Sequence, residues 1–445
     1  MAIARPRGIR SPGCGCLRAD IVFVLLFGPF GAIHSRVPIE RLAAVPWDAL
    51  RADLALPAIA RVLDGAAAER EIDRTLRTNR HLTREERTAL VEAIFGVALW
   101  RRRLAWHAGF DTSLYTGAPV PHPTGIISSG SDIPVILLAC LLRDLAGLEE
   151  AHALAITGLA TPPPRLPPPA RLADRWSLPD WLESHLEAEL GAEADAFCSA
   201  IATPGPVCLR ANRLLTTRDR LAHRLAEDDR IATRPAQGAR DALIVETRQA
   251  NLFGARAWQE GLFEPQDEGS QLIGLLVEAQ PGETVLDLCA GAGGKSLQLA
   301  AEGALVLAHD VDQGRLDRLR TRAIRACATA KIEIVHTPCP ADRVLVDAPC
   351  SELGTLRRGP DARWRIEKTA LETCPPIQAA LLETAAENAR RRVVYATCTL
   401  NRGENEDIAA QFERTHPEFR RAATLTLLPH RDGTDGFFAA AWDRR

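Results

Sequence analysis

The sequence predicts an α/β protein whose C-terminal part is a doubly wound, Rossmann-like sheet, preceded by a small α/β subdomain and an all-helical domain. Strand-like apolar runs at Thr284–Cys289, Leu305–Asp310, Lys331–His336, Arg343–Asp347 and Arg392–Thr399 carry helical stretches between most of them. That alternation is expected of parallel strands joined by crossover helices. The first run passes through a glycine-rich turn into a helix, as Val285-Leu-Asp-Leu-Cys-Ala-Gly-Ala-Gly-Gly-Lys295. From about Val37 to Leu159 the pattern is helical instead.

A chain of 445 residues is too long for one ordinary core. Its net charge of -3 gives no global footprint for nucleic acid, so any polyanion site must be local. The 11 cysteines form no CxxC pair and no Cys/His cluster with zinc spacing. They read as reduced thiols of a cytoplasmic protein with no metal. Lysine occurs only at Lys295, Lys331 and Lys368, so a lysine inside a motif is informative.

Residues 1–36 put Arg5, Arg7, Arg10 and Arg18 before the apolar run Ile21–Ile33. A basic stretch before a short apolar run has the form of a signal peptide, and this run is too short to span a bilayer as a helix. The cysteine usage favours the other reading, translation starting at Val37 with 1–36 a disordered or mis-assigned extension, and no membrane association. Helices follow over 37–160, with Thr83-Arg-Glu-Glu86 in capping-box form. The run Thr161-Pro-Pro-Pro-Arg-Leu-Pro-Pro-Pro-Ala170 favours an extended linker and is expected to end the first domain. The small α/β subdomain is expected over 171–260. There Leu178-Pro-Asp-Trp-Leu182 opens a helix, and Leu209-Arg-Ala-Asn-Arg-Leu-Leu215 is basic and strand-like. The C-terminal domain spans 261–445 and closes on a strand in Gly436–Trp442.

The glycine-rich turn is a candidate ligand loop. Gly291, Gly293 and Gly294 let backbone approach a ligand closely, and open parallel sheets bind ligands at their carboxyl edge. Cys289, Ala290, Gly291, Ala292, Gly293, Gly294 and Lys295 are therefore candidate cofactor contacts. Asp310, at the end of the second run, can take two ribose hydroxyls. A structural turn and a dinucleotide site use similar parts, but Gly291-Ala-Gly-Gly294 is not GxGxxG. A carboxylate at Asp287 suits a cationic ligand such as S-adenosyl-L-methionine better than a pyrophosphate. Lys295, at a helix start, can meet that ligand's carboxylate.

Two strands end in cysteine motifs, Asp347-Ala-Pro-Cys-Ser351 and Tyr395-Ala-Thr-Cys-Thr-Leu400. With Asp287–Lys295, Pro265–Gln271, Gly354–Arg365, Glu404-Asn-Glu406 and Asp435-Gly-Phe-Phe438, the chain from about Trp176 onward resembles the Sun/Nop family of RNA (cytosine-5)-methyltransferases. The N-terminal helices resemble the NusB-like RNA-binding domain of the bacterial small-subunit (16S) rRNA methyltransferase in that family. The resemblance implies methyl transfer to carbon 5 of a cytosine, with Cys398 as nucleophile, Cys350 in adduct breakdown and Asp347 on the base edge. It also implies an RNA partner, most simply small-subunit rRNA, and a monomer. The chemistry has an independent rationale. Carbon 5 of cytosine is a poor nucleophile, and a thiolate added at carbon 6 makes it enamine-like. DNA cytosine methyltransferases use the Pro-Cys cysteine instead, so position alone leaves the two thiols open.

Arg357, Arg358, Arg363, Trp364 and Arg365 lie beside the catalytic loop and read as an RNA-binding patch, with a solvated charged face as the alternative. Three positions depart from the family pattern. Glu352 stands where a glycine is usual, and its carboxylate is expected to raise a thiol pKa or repel RNA. The connection His336–Asp342 is short and offers no convincing counterpart to the acidic residue that meets the adenine in the family. Ala389-Arg-Arg-Arg392 replaces a Gly-Gly turn. The NusB-like head, Glu352 and the short connection motivate the alternative of an RNA-binding pseudoenzyme. A nicotinamide-dependent dehydrogenase leaves the paired cysteine motifs unexplained.

Overall fold

The computed structural model describes residues 38–114, 132–247, 250–359 and 361–445. The expected extension over 1–36 lies outside them. The helical part is organised around the helix Arg84–His107. Its start is fixed by the capping box: Glu86 N donates to Thr83 Oγ1 at 3.2 Å and Thr83 N to Glu86 Oε2 at 2.7 Å. Helices Ala52–Leu63, Ala68–Thr78 and Ile133–Cys140 pack around it. Gly96 allows the close approach, since a Cβ there would lie 2.8 Å from Leu141 Cδ2.

The proline-rich run does not end this domain. It lies back on the helices, with Arg143 donating to the carbonyls of Pro163 (2.7 Å) and Pro164 (2.8 Å) and Trp106 Nε1 to Pro167 O (2.9 Å). Helices Leu172–Trp176, Asp180–Leu190 and Ala194–Ile201 then bury Leu172, Trp176, Leu182, Leu186, Phe197 and Ile201 in the same core. The buried Arg102 anchors them, reaching Asp174 at 2.7 Å, Asp180 at 2.6 Å and Leu178 O at 2.9 Å. The helical unit thus extends to about 201, not 160. Leu353, Leu356, Trp364, Leu400 and Leu428 from the C-terminal domain complete its core.

The small sheet comprises β1 (Cys208–Ala211), β2 (Thr233–Pro235), β3 (Ala242–Val245) and β4 (Phe263–Pro265). Its order is β2-β3-β1-β4 and every pairing is antiparallel. The helix Arg218–Asp229 covers one face through Leu221 and Leu225. Because β4 belongs here, the subdomain closes at 265, beyond the expected 260.

The large sheet contains β5 (Thr284–Asp287), β6 (Leu305–Ala308), β7 (Ile332–Ile334), β8 (Ala341–Asp347), β9 (Ala389–Thr397), β10 (Phe419–Leu427) and β11 (Phe437–Arg444). The order is β10-β11-β9-β8-β5-β6-β7, with β11 antiparallel to both neighbours and the rest parallel. Chain direction across the sheet reverses at β5, which creates a ligand crevice at its carboxyl end. Each expected strand is present, and β10 is an addition. The arginines of Ala389–Arg392 start β9 directly after the helix Ala370–Asn388, and Arg392 pairs with Asp443 at 2.7 Å.

The side chains of the expected RNA-binding patch are engaged within the protein, with Arg358 and Arg365 partly exposed. Arg357 and Arg358 each donate through Nε to Asp435, at 2.6 and 2.7 Å, and Arg358 also reaches Asp267 at 2.7 Å and Pro206 O at 3.0 Å. Arg363 is fully buried and donates to Trp176 O (2.9 Å) and Ile201 O (3.1 Å). Trp364 is buried beneath Arg101, and Arg365 pairs with Asp361 at 3.1 Å. These side chains join the three parts of the chain. Among the described residues no helix is long and apolar enough to cross a membrane, and no cluster of His, Cys, Asp or Glu has the makings of a metal site.

Asp435→Ala leaves the Arg357 and Arg358 guanidiniums without their shared, buried carboxylate. It is expected to cost about 3–5 kcal/mol, the range for breaking a buried pair. Denaturant unfolding measures this against Asp317→Ala, which removes an exposed pair and should change stability by less than about 0.5 kcal/mol.

Candidate active site

Register sets the site. Asp287, last in β5, aligns with Ala308 of β6 and Leu345 of β8, and Asp347 of β8 aligns with Ala396 of β9. Asp287, Asp347 and Cys398 therefore share one edge of the sheet.

The glycine turn is shaped by left-handed backbone at Gly291 (φ 53°) and Gly293 (φ 87°). A Cβ on Gly293 would lie 2.0 Å from Leu319 Cδ1, whereas Cβ atoms on Gly291 and Gly294 would meet nothing within 4 Å. The loop is thus packed on one side and open on the other. Gly291 N donates to Asp310 Oδ2 and Asp312 N to Asp310 Oδ1, both at 2.8 Å. Asp310 lies two residues beyond β6, in the loop. Ala290 N donates to His309 O at 2.8 Å, and the carbonyls of Ala292 and Gly294 each accept from an arginine at 2.7 Å. Burial, first among several causes, pushes the Cys289 thiol well up.

Asp287 is buried, and its Oδ2 accepts from Ser296 Oγ at 2.6 Å. Its Oδ1 has no hydrogen-bond partner among the described residues. Burial pushes this carboxyl up to about 7. Lys295 does not stand free for a ligand: its Nζ bonds Asp347 Oδ2 at 2.8 Å. The expected ligand lysine and the expected base-edge carboxylate are an ion pair.

The two thiols meet. Cys350 Sγ and Cys398 Sγ are 3.3 Å apart, and Cys398 N is 3.3 Å from Cys350 Sγ. Cys350 is buried and Cys398 half-buried. The Cys350 thiol is pushed well above its ordinary range by its hydrogen bond with Cys398, then by burial, with the Glu404 and Glu352 carboxylates adding to it. Glu352 has φ 58°, a left-handed conformation that explains the usual glycine there.

Sequence reasoning gave Glu404 no role, although it lies in a quoted motif. It is fully buried and accepts from Ser351 N (3.0 Å), Ser351 Oγ, Gln378 Nε2 (2.9 Å) and Asn401 Nδ2 (3.0 Å). One carboxylate thereby ties the loop after β8 to the loop after β9. A charged residue six positions after Cys398 was the only signal of it.

Residues 274–443 match the family model described as 16S rRNA methyltransferase RsmB/F, and residues 178–250 match its ferredoxin-like domain. The chain is 33% identical over 301 residues to the probable ribosomal RNA small subunit methyltransferase B of Synechocystis, covering 60% of this chain and 67% of that protein. The chain belongs to the RsmB/F family of 16S rRNA methyltransferases. A Bacillus subtilis relative of the same description is 29% identical over 314 residues, covering 62% of this chain and 69% of its own. The solved structure of PH0851 shares the fold with a TM-score of 0.68 at 21% identity, covering 90% of this chain and 99% of that one. A methyltransferase homolog from Pyrococcus horikoshii has a TM-score of 0.53 at 23% identity, over 60% of this chain and 95% of its own.

The cofactor of this RsmB/F member is S-adenosylmethionine. The residues fit it: the orphaned Asp287 Oδ1 suits a cationic group, and the open space beside Gly291 and Gly294 admits a ligand. The Asp287 charge carries a pH dependence. A carboxyl with a raised pKa is protonated below that value, so cofactor affinity is expected to fall as pH drops through about 7. Lys295, Asp347 and Asp310 are the charged neighbours acting on it. Calorimetric titration at about pH 6 and about pH 8 should show stronger binding at the higher pH, and weak, pH-independent binding in Asp287→Asn.

Proposed function

We propose that this protein methylates carbon 5 of a cytosine in small-subunit rRNA through a covalent cysteine–cytosine adduct. The observation that carries the reading is the 3.3 Å contact between Cys350 and Cys398, at the edge that also holds Asp347 and the cofactor loop. A single buried cysteine is usually mere packing. Two thiols in contact beside a carboxylate at a ligand edge are the parts that addition to and release from carbon 6 require.

In this reading Cys398, the more exposed thiol, is the nucleophile. Its thiolate forms the Sγ–C6 bond, and carbon 5 gains the electron density. S-adenosylmethionine supplies the sulfonium methyl that carbon 5 attacks. S-adenosylhomocysteine is the leaving group; a base or water then takes the carbon-5 proton, the Sγ–C6 electron pair returns to Cys398 as thiolate, and the C5–C6 double bond is restored. Cys350, held as a neutral thiol by burial and by its neighbour, serves the release step. Asp347, fixed by Lys295, meets the N3/N4 edge of the base. The cytosine must be unpaired or flipped out to reach these groups. The enzyme acts as a cytoplasmic monomer on RNA, and Arg357, Arg358, Arg363, Trp364 and Arg365 act as structural links.

Cys350→Ala is expected to accumulate a protein–RNA adduct that survives denaturing electrophoresis, and Cys398→Ala to form none and lose methyl transfer. Adduct in the Cys398 variant would reverse the two roles. A wild-type protein that binds S-adenosylmethionine and RNA, but transfers no methyl and forms no adduct, would be the RNA-binding pseudoenzyme to which Glu352 and the short 336–342 connection point.

A further inference from the structure

The small sheet is wired to the cofactor loop. Arg210, on β1 and 3% exposed, donates to Gly294 O at 2.7 Å and also bonds the side chain of Gln266. Arg322, on the helix Gln313–Arg325, donates to Ala292 O at 2.7 Å. Both arginines lie beside Glu264 of β4, which pairs with Arg322 and acts on Arg210 through its charge. Arg322 pairs with its Oε2 at 2.9 Å, Arg325 pairs with its Oε1, and Glu264 lies opposite Arg210 in the β1–β4 register. Arg325 in turn covers the ring of Trp258, 3.1 Å from its centroid.

We propose that Arg210, Arg322 and Glu264 are positioning residues for the glycine loop, and that through them the small sheet sets the affinity for S-adenosylmethionine. The loop needs fixing from outside. Two of its residues are left-handed glycines, and a soft backbone loses conformational freedom when a ligand orders it. The two guanidiniums hold carbonyls on either side of Gly293, while Leu319 closes over Gly293 itself. Packing alone does not account for Arg210. Its Nε is buried with no hydrogen-bond partner among the described residues, and burial pulls the guanidinium down to about 10. Coupling is reciprocal, so a ligand in the loop must also steady β1 and β4. The proposal rests on S-adenosylmethionine as the loop's ligand and not on which base is methylated.

The test is calorimetric titration of the full chain with S-adenosylmethionine, with hydrogen exchange of the β1 and β4 amides read with and without it. Arg210→Met is expected to weaken binding about tenfold or more, equivalent to about 1.4 kcal/mol, measured well below the melting temperature of the unliganded variant. Arg210→Lys, which keeps a donor for Gly294 O, should recover part of the affinity. Ligand-induced protection of β1 and β4 should appear in the wild type and fade in Arg210→Met. Arg322→Met tests the second carbonyl and serves if Arg210→Met does not fold. Wild-type affinity in both folded variants, with protection unchanged, would overturn the proposal. A wild-type chain that binds no S-adenosylmethionine would overturn the ligand assignment and the proposal with it.

Discussion

The constraint on which the structure most depends is the buried cluster of Arg357, Arg358, Asp267 and Asp435. Four charges meet where three parts of the chain join, three of them almost wholly covered and Arg358 partly so, and leaving a buried charge unpaired costs several kcal/mol. Asp267 caps the helix Glu268–Leu276, which leads into the large sheet, and accepts from Gly269 N at 2.8 Å. Arg358 reaches Pro206 O just before β1. Asp435 precedes β11, beside Gly436, whose N donates to Gly354 O at 2.8 Å. The turn Leu353–Arg358 is thereby fixed to the small sheet and to β11 at once. It follows directly on Cys350, and its Gly354 N holds the Cys398 carbonyl at 2.9 Å. The thiols owe their separation to this clamp as much as to their own strands.

Within the site, the carboxylates are divided between shaping and chemistry. Glu404 has its oxygens filled by donors from two loops and the helix Ala370–Asn388, so it is committed to geometry. Asp287 keeps one oxygen unfilled and sits at a pKa near neutrality, so its charge responds to what arrives beside it. Asp347 lies between these cases: Lys295 holds one oxygen, and the residue keeps partial exposure at the strand end. Burial, neighbours and donor count thus set three chemically identical groups to different tasks.

Much of this was legible in the sequence. The strands β5, β6, β8 and β9 are apolar because both faces of the sheet are covered, and such runs stand out. β10 was missed because it is an edge strand whose residues alternate with exposed arginine and threonine, a pattern shared with loops. β2 and β4 are three residues each, too short to show a period. The glycine turn and both cysteine motifs are contiguous, so their place at the sheet edge could be read directly. What a linear reading could not supply was partners. Arg358 meets Asp435 across 77 positions, Arg363 meets Trp176 across 187, and Lys295 meets Asp347 across 52. An arginine cluster looks like an RNA surface until the groups that neutralise it are known. The proline run misled in the same way. Its composition predicts an extended backbone correctly, but says nothing of whether that backbone leaves the domain or lies back upon it.

The shared core has a consequence for how the protein is made. The N-terminal helices bury their apolar faces against Leu353, Leu356, Trp364, Leu400 and Leu428, residues the ribosome delivers late. Domains usually fold in the order of their synthesis. Here the helices build most of their core among themselves, and the later residues close only one patch of it, so that patch stays open to water until they arrive. A chain cut before Leu428 would leave part of that patch uncovered, so the helical core carries an apolar face whose cover belongs to the other domain.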